Sequence, residues 1–250
     1  MSTKRQVIIT GSRGIAAGLA IALDSDLVFL VGGQEEDSQR LCAAYPHIVG
    51  YEAIDLRDEG CVETSFKHAV EKLGGVSDVI AIAGGSGRSF GDGPLEHMTK
   101  DAWDKTLELN LTTAFLSARE AIKYFGESGG SLILTSSVLS RSPSPQFFQT
   151  HAYAVAKAGI NGLVTALSAA YLPRNIRVNG VMPGLVATPM AARAATNPEI
   201  VSFTEKKQPL VKDQLNVDSL VQAYVYLMNN SAVTGQMLVV DGGWTSVSNV

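Results

Sequence analysis

The chain has 250 residues, 46% of them hydrophobic, with 24 glycines and a formal net charge of −4. That length suits one large α/β domain, 1–250, and the apolar content argues against disorder. Lys and Arg are dispersed, which argues against nucleic-acid or anionic-membrane binding, and no apolar run approaches the ~20 residues of a membrane helix.

Cys42 and Cys61 have no metal-site spacing and read as buried thiols, and the four histidines are scattered, so no metal is expected. The only apolar residues between Lys4-Arg5 and Thr10-Gly11 are Val-Ile-Ile, too short for a signal-peptide core, and a cytoplasmic location is expected.

Residues 6–10 read as a buried strand that runs into a turn, Gly11-Ser-Arg-Gly14, and a helix over 15–23. Such a turn leaves amide N–H groups at the helix start free to face a dinucleotide pyrophosphate. An ordinary strand-to-helix turn fits the same residues. A second strand over 27–31 ends at Gly32-Gly33, with a helix over 35–44, a strand over 47–54, and Asp55 next.

A helix over 58–73 leads to a fourth strand over 78–83, which stops at Gly84-Gly85. One long helix is expected over 99–125, capped by Thr99 with Asp101 and Asp104 in its first turn. A fifth strand over 131–135 ends at Ser136-Ser137, and an Ala- and Leu-rich helix covers 150–172. Residues 175–179 form a sixth strand. Residues 185–215 are less regular and read as a lid, 217–228 is a helix and 236–240 the last strand. Alternating strands and helices imply a doubly wound, Rossmann-type parallel sheet of seven strands, with ligands at its carboxyl edge.

Tyr153 and Lys157 sit four residues apart on one helix face. A free tyrosine releases its proton near pH 10, and a fixed positive charge beside it favours the phenolate. Such a tyrosine would give a proton to a carbonyl oxygen or take one from an alcohol. Taken alone, the pair also fits a surface lysine beside a half-buried tyrosine.

Thr10-Gly11…Gly14, Asp55-Leu56, Ala83-Gly84, Asn110, Ser137, Tyr153-x-x-x-Lys157, Pro183-Gly184 with Thr188, and Asp241-Gly242-Gly243 occur in this order. Over nearly its whole length the chain resembles the classical short-chain dehydrogenase/reductases. The resemblance implies Tyr153 as the general acid/base and Ser137 at the reacting oxygen. It implies Lys157 lowering the Tyr153 pKa and holding the nicotinamide ribose, and Asn110 holding a water that links Lys157 to solvent. Gly11, Ser12, Arg13, Gly14, Ile15, Gly32, Gly33, Asp55, Leu56, Ala83, Gly84, Pro183, Gly184, Val186 and Thr188 would border the cofactor, with Asp55 taking the adenine amine. By themselves, Ser137 also fits a turn residue, Asn110 a packing amide and Asp55 a helix cap.

The turn is one residue shorter than the family's and ends in Ala16, and Ala81-Ile82 replace the family's Asn-Asn. Ser137 lies 16 residues before Tyr153, a wider gap than usual, so residues 138–150 are expected to bulge into the substrate mouth. Phe147 and Phe148 suggest an apolar wall there, or a subunit contact. Arg193, Lys206 and Lys207 would meet an anionic handle, or simply cover a solvated lid.

The expected activity is hydride transfer between a nicotinamide and a carbonyl or secondary alcohol, working as a reductase. A nucleotide-binding sensor without turnover is the alternative. NADP(H) is expected over NAD(H), because no acid closes the second strand at Gly32-Gly33 and Arg13 occupies a position that meets the 2′-phosphate in many members. A homotetramer is expected from the apolar residues Leu111, Phe115, Leu116, Ile122, Ile160, Leu163, Val164 and Leu167 on the two long helices.

Overall fold

The computed structural model of the chain describes residues 4–247. Its strands are β1 Gln6–Thr10, β2 Leu27–Val31, β3 Ile48–Glu52, β4 Asp78–Ala81, β5 Gly130–Thr135, β6 Ile176–Pro183 and β7 Met237–Val240. They form one parallel sheet in the order β3-β2-β1-β4-β5-β6-β7. The order reverses between β1 and β4, and in such sheets the crevice at that reversal is where ligands sit.

The helices are α1 Ile15–Ala22, α2 Glu35–Ala44, α3 Glu59–Leu73, α4 Lys100–Leu107, α5 Thr113–Tyr124, α6 Pro145–Phe148, α7 His151–Tyr171, α8 Ala192–Thr196, α9 Pro198–Lys207 and α10 Val217–Asn229. They cover both faces of the sheet. Val7, Ile9, Val28 and Leu30 face α1 and α10, whereas Ile8, Phe29, Val31 and Val79 pack with residues of α3, α5 and α7. The strands read as continuous apolar runs because both faces are covered.

Local signals place several helix ends. The Asp58 carboxylate accepts from Cys61 N–H at 2.9 Å at the start of α3, and Gly74 ends that helix with a left-handed backbone. Thr99 accepts from Ala102 N–H at 3.1 Å to start α4.

Four sequence expectations change. The single helix over 99–125 is interrupted by a π-helical turn, Glu108–Thr112, between α4 and α5. The lid contains regular helices, α8 and α9. Strand β6 runs on to Pro183 because Gly180–Pro183 pairs with Met237–Val240 of β7. Cys61 is exposed rather than buried.

The segment His151–Arg174, which contains α7, is long and apolar enough to cross a membrane by length and composition, contrary to the reading of the apolar runs. Here it lies against β6 and β5, with Ala152, Ala156, Ile160 and Val164 buried.

Candidate active site

The carboxyl ends of the strands open into one cavity of about 660 Å³. Gly11, Ser12, Arg13, Gly14, Ile15, Gly33, Asp55, Leu56, Ala83 and Gly84 line one part of it, and Ser137, Tyr153, Lys157, Pro183, Gly184, Val186 and Thr188 line the rest. Asn110 and Gly32 do not line it.

The glycine-rich turn joins β1 to α1, and no side chain caps the first turn of that helix. Its amide end therefore remains available to an anion. A Cβ at Gly14 would lie 2.8 Å from Cγ2 of Thr188, so glycine is what lets the loop after β6 approach the turn. Ser12 works within the protein: its Oγ accepts from Gln34 N–H at 3.0 Å and ties the turn to the end of β2. Thr10 Oγ1 accepts from the amides of Ile82 and Ala83 at 3.0 and 3.1 Å. This satisfies backbone groups at the end of β4, where the sequence carries Ala81-Ile82.

Helix α7 delivers Tyr153 and Lys157. Its N-cap, Thr150, makes no capping bond. The Asp92 carboxylate does so instead, accepting from Ala152 N–H at 3.0 Å and Tyr153 N–H at 2.8 Å. The Lys157 ammonium donates to the Thr135 carbonyl at 2.9 Å and lies 5.6 Å from the centre of the Tyr153 ring. Burial lowers its pKa from 10.5 to about 8.

Tyr153 keeps some accessible surface, which faces the cavity it lines. Desolvation raises its pKa, while the Ser137 hydroxyl and the positive charge of Arg88 act the other way. The Ser137 Oγ accepts from Leu139 N–H at 3.2 Å and faces the phenol without a hydrogen bond of normal geometry to it. The charge of Arg88 favours the phenolate in this arrangement. Lys157 is desolvated and directed at Thr135.

The outer wall is aromatic. Phe147 and Phe203 lie 5.2 Å apart between ring centres, Phe148 and Trp244 5.5 Å, and Phe203 and Trp244 5.7 Å. Phe148, Leu139 and Trp244 reach the cavity, so the segment 138–150 does enter its mouth. Gln208, buried in α9's continuation, accepts from Leu185 N–H at 2.6 Å and fixes the loop after Gly184.

The family described as Enoyl-(Acyl carrier protein) reductase matches residues 9–245, almost the whole chain. The chain belongs to the short-chain dehydrogenase/reductase family. It is 32% identical to "Probable galactose dehydrogenase GalD" of Rhizobium meliloti (strain 1021), over 96% of this chain and 94% of that protein. It is 31% identical to "3beta-hydroxysteroid dehydrogenase 1" of Eggerthella lenta, again over 96% and 94%. Among solved structures, a short-chain type dehydrogenase/reductase from Mycobacterium ulcerans superposes with a TM-score of 0.88 at 25% identity, covering 98% of this chain and 92% of that one.

A short-chain dehydrogenase/reductase is an oxidoreductase that uses a nicotinamide cofactor. The cavity fits such a group: the start of α1, which lines it, carries no side-chain cap on its free amides. A Cβ at Gly84 would lie 2.6 Å from Asn110 Oδ1 and 3.4 Å from Lys157 Nζ, so the glycine leaves room for both side chains at the cavity wall.

Several residues to which the family resemblance gives roles also make contacts within this short-chain dehydrogenase/reductase. The Asn110 side chain donates to the carbonyls of Gly85 and Thr106, both at 2.9 Å, and its Oδ1 accepts from Gly85 N–H at 3.1 Å. It anchors the turn after β4 from within the π-helical segment. Asp55 is paired with Arg57 at 2.6 Å, and that hydrogen bond, opposed by desolvation, lowers its pKa. Its carboxylate therefore meets an adenine only in competition with Arg57.

Arg13 donates from Nε to Asp37, as Arg40 does from its own guanidinium. Gly32 sits behind Leu56, where a Cβ would come within 2.6 Å of Cδ1. Lys207 is buried with its ammonium on the Val247 carbonyl, so it offers no handle to a ligand.

Arg88, Asp92 and Gln208 gained their roles only here. No spacing in the sequence marks them, because their partners lie far along the chain.

Proposed function

We propose that the chain transfers a hydride between NADP(H) and a carbonyl or secondary alcohol, with Tyr153 as the proton donor and acceptor. The observation that carries this reading is the convergence of the Tyr153 phenol, the Ser137 hydroxyl and the buried Lys157 on one cavity wall. In reduction, Ser137 orients the substrate oxygen and Tyr153 gives it a proton. In oxidation, Tyr153 takes that proton back. Lys157 holds the ribose hydroxyls, and the amides at the start of α1 hold the pyrophosphate. The bound nicotinamide supplies or accepts the hydride.

The related proteins named for galactose and for a 3β-hydroxysteroid support an alcohol/carbonyl pair and differ in its carrier. Preference for NADP(H) is supported by Arg13 and Arg40, two cations around the single carboxylate of Asp37 beside the cavity. We also propose reduction as the working direction, a cytoplasmic location, in keeping with the free thiols of Cys42 and Cys61, and a homotetramer.

The test follows absorbance of the reduced cofactor with panels of ketones and alcohols. Wild type should turn over members of the panel. Tyr153→Phe should lose ~100- to 10,000-fold in kcat while binding cofactor nearly as before. A variant that keeps more than about a tenth of the rate, set against the effect expected of a general acid/base, would remove Tyr153 from this role. Cofactor binding with no turnover by wild type would favour a nucleotide-binding sensor.

A further inference from the structure

We propose that Arg88 and Arg193 form an anion-binding mouth, and that the substrate is a hydroxy or oxo acid whose carboxylate sits between these guanidiniums. The reacting carbon would then lie deeper in the cavity, at Tyr153, and in that respect the inference rests on the function proposed above.

Both arginines donate to one backbone oxygen, the Phe147 carbonyl: Arg193 from Nη2 at 2.8 Å and Arg88 from Nη2 at 3.2 Å. Arg88 comes from the turn after β4 and Arg193 from α8, so the fold brings like charges together from segments about a hundred residues apart. A single neutral carbonyl does not balance two cations. Among the described residues, neither arginine forms an ion pair. Asp92 offsets part of the Arg88 charge at a distance, while its two oxygens accept from the start of α7 and form no ion pair with either arginine.

Arg88 lines the main cavity and is both solvent-accessible and partly desolvated by its walls. Desolvation and the charge of Arg193 both lower its pKa, which is the repulsion an incoming anion would relieve. The planar donors of arginine match a carboxylate in two parallel bonds.

The surroundings define the rest of the ligand. Phe148 lies under the Arg193 guanidinium at 6.0 Å, and Leu139, Leu185 and Trp244 line the same side of the cavity. An apolar ring or chain fits between this wall and Tyr153, with charge at its outer end. Arg88 and Tyr153 line the same cavity, so a ligand held by its carboxylate at Arg88 can extend to the phenol.

The experiment measures calorimetric binding of benzoate and hexanoate, against benzamide and hexanamide, to protein saturated with NADP⁺. Each acid should bind about ten- to a hundredfold more tightly than its amide, as expected for charged hydrogen bonds. Arg88→Gln should bring that ratio close to one, and Arg88→Lys should retain part of it. Equal binding of acid and amide, no binding of either, or an unchanged ratio in Arg88→Gln would overturn the inference. If Arg88→Gln does not fold, Arg193→Gln takes its place and should also lower the ratio. Turnover of neutral ketones without an acid preference in binding would sink this inference and leave the proposed function standing. A clear acid preference with no turnover of any alcohol or ketone would do the reverse.

Discussion

The Lys157 ammonium donates to the Thr135 carbonyl at 2.9 Å while only 4% of the residue is exposed. Burying a cation against one neutral acceptor is unfavourable, which is why its pKa falls from 10.5 to about 8. Below pH 8 the amine is charged in both the folded and unfolded chain, and the full burial cost is present. Between about pH 8 and 10.5 the unfolded chain binds more protons, so this group's contribution makes stability rise with pH. Lys157→Met should therefore be more stable than wild type at pH 7, by up to ~3 kcal/mol, and inactive. Urea unfolding across pH 7 to 10 checks this. A stability difference that does not narrow above pH 8 would contradict it.

Asp92 caps the start of α7 from outside that helix. Asp92→Ala should cost about 1–2 kcal/mol, the usual effect of losing a helix cap. It should also lower kcat, because Tyr153 loses the acceptor of its own amide. Asp92→Asn retains an acceptor and should recover part of both. Unfolding midpoints and kcat, measured on the same preparations, test the pair of effects. Loss of stability with kcat unchanged would show a cap without a positioning role.

The proposed preference for NADP(H) rests on Arg13. Burial tends to raise the Asp37 pKa, but hydrogen bonds from Arg13 and Arg40 outweigh it, so its carboxyl stays below the ordinary range. The Asp37 carboxylate is thereby paired with two guanidiniums, those of Arg13 and Arg40. Wild type should show the higher kcat/KM with NADP(H). Arg13→Ala should raise KM for NADP(H) about tenfold or more, the scale of a charged hydrogen bond, and change KM for NAD(H) little. A wild-type preference for NAD(H) would refute the assignment.

The apolar residues that suggested a tetramer are mostly used inside the subunit. Leu116, Ile122, Ile160 and Val164 are buried in its core, and Leu111, Leu163 and Leu167 pack against that core. Phe115 of α5 and Val155 of α7 remain exposed, at 45% and 48%. Light scattering should report a particle four times the 26.4 kDa chain. Phe115→Glu should shift it toward smaller species. A single-chain mass for wild type at micromolar concentration would rule the tetramer out.

What the sequence determined by itself was local. Unbroken apolar runs marked buried parallel strands, Asp58 and Thr99 marked helix starts, and Gly11–Gly14 marked the turn into α1. The four-residue interval of Tyr153 and Lys157 placed both on one helix, because helical geometry relates such neighbours whatever surrounds them. The partners of these groups were decided by the tertiary structure alone. Asn110 meets Gly85 across 25 residues, within a π-helical turn that a helical sequence pattern does not announce. Asp92 reaches Tyr153 across 61, and Arg13 reaches Asp37 across 24. Arg88 and Arg193 share the Phe147 carbonyl only after β4, α6 and α8 have been brought to one edge of the sheet. Periodicity reports which way a residue faces along its own element. Which charge or acceptor it meets depends on how the sheet and its covering helices close over one another, and that is set by packing among distant segments.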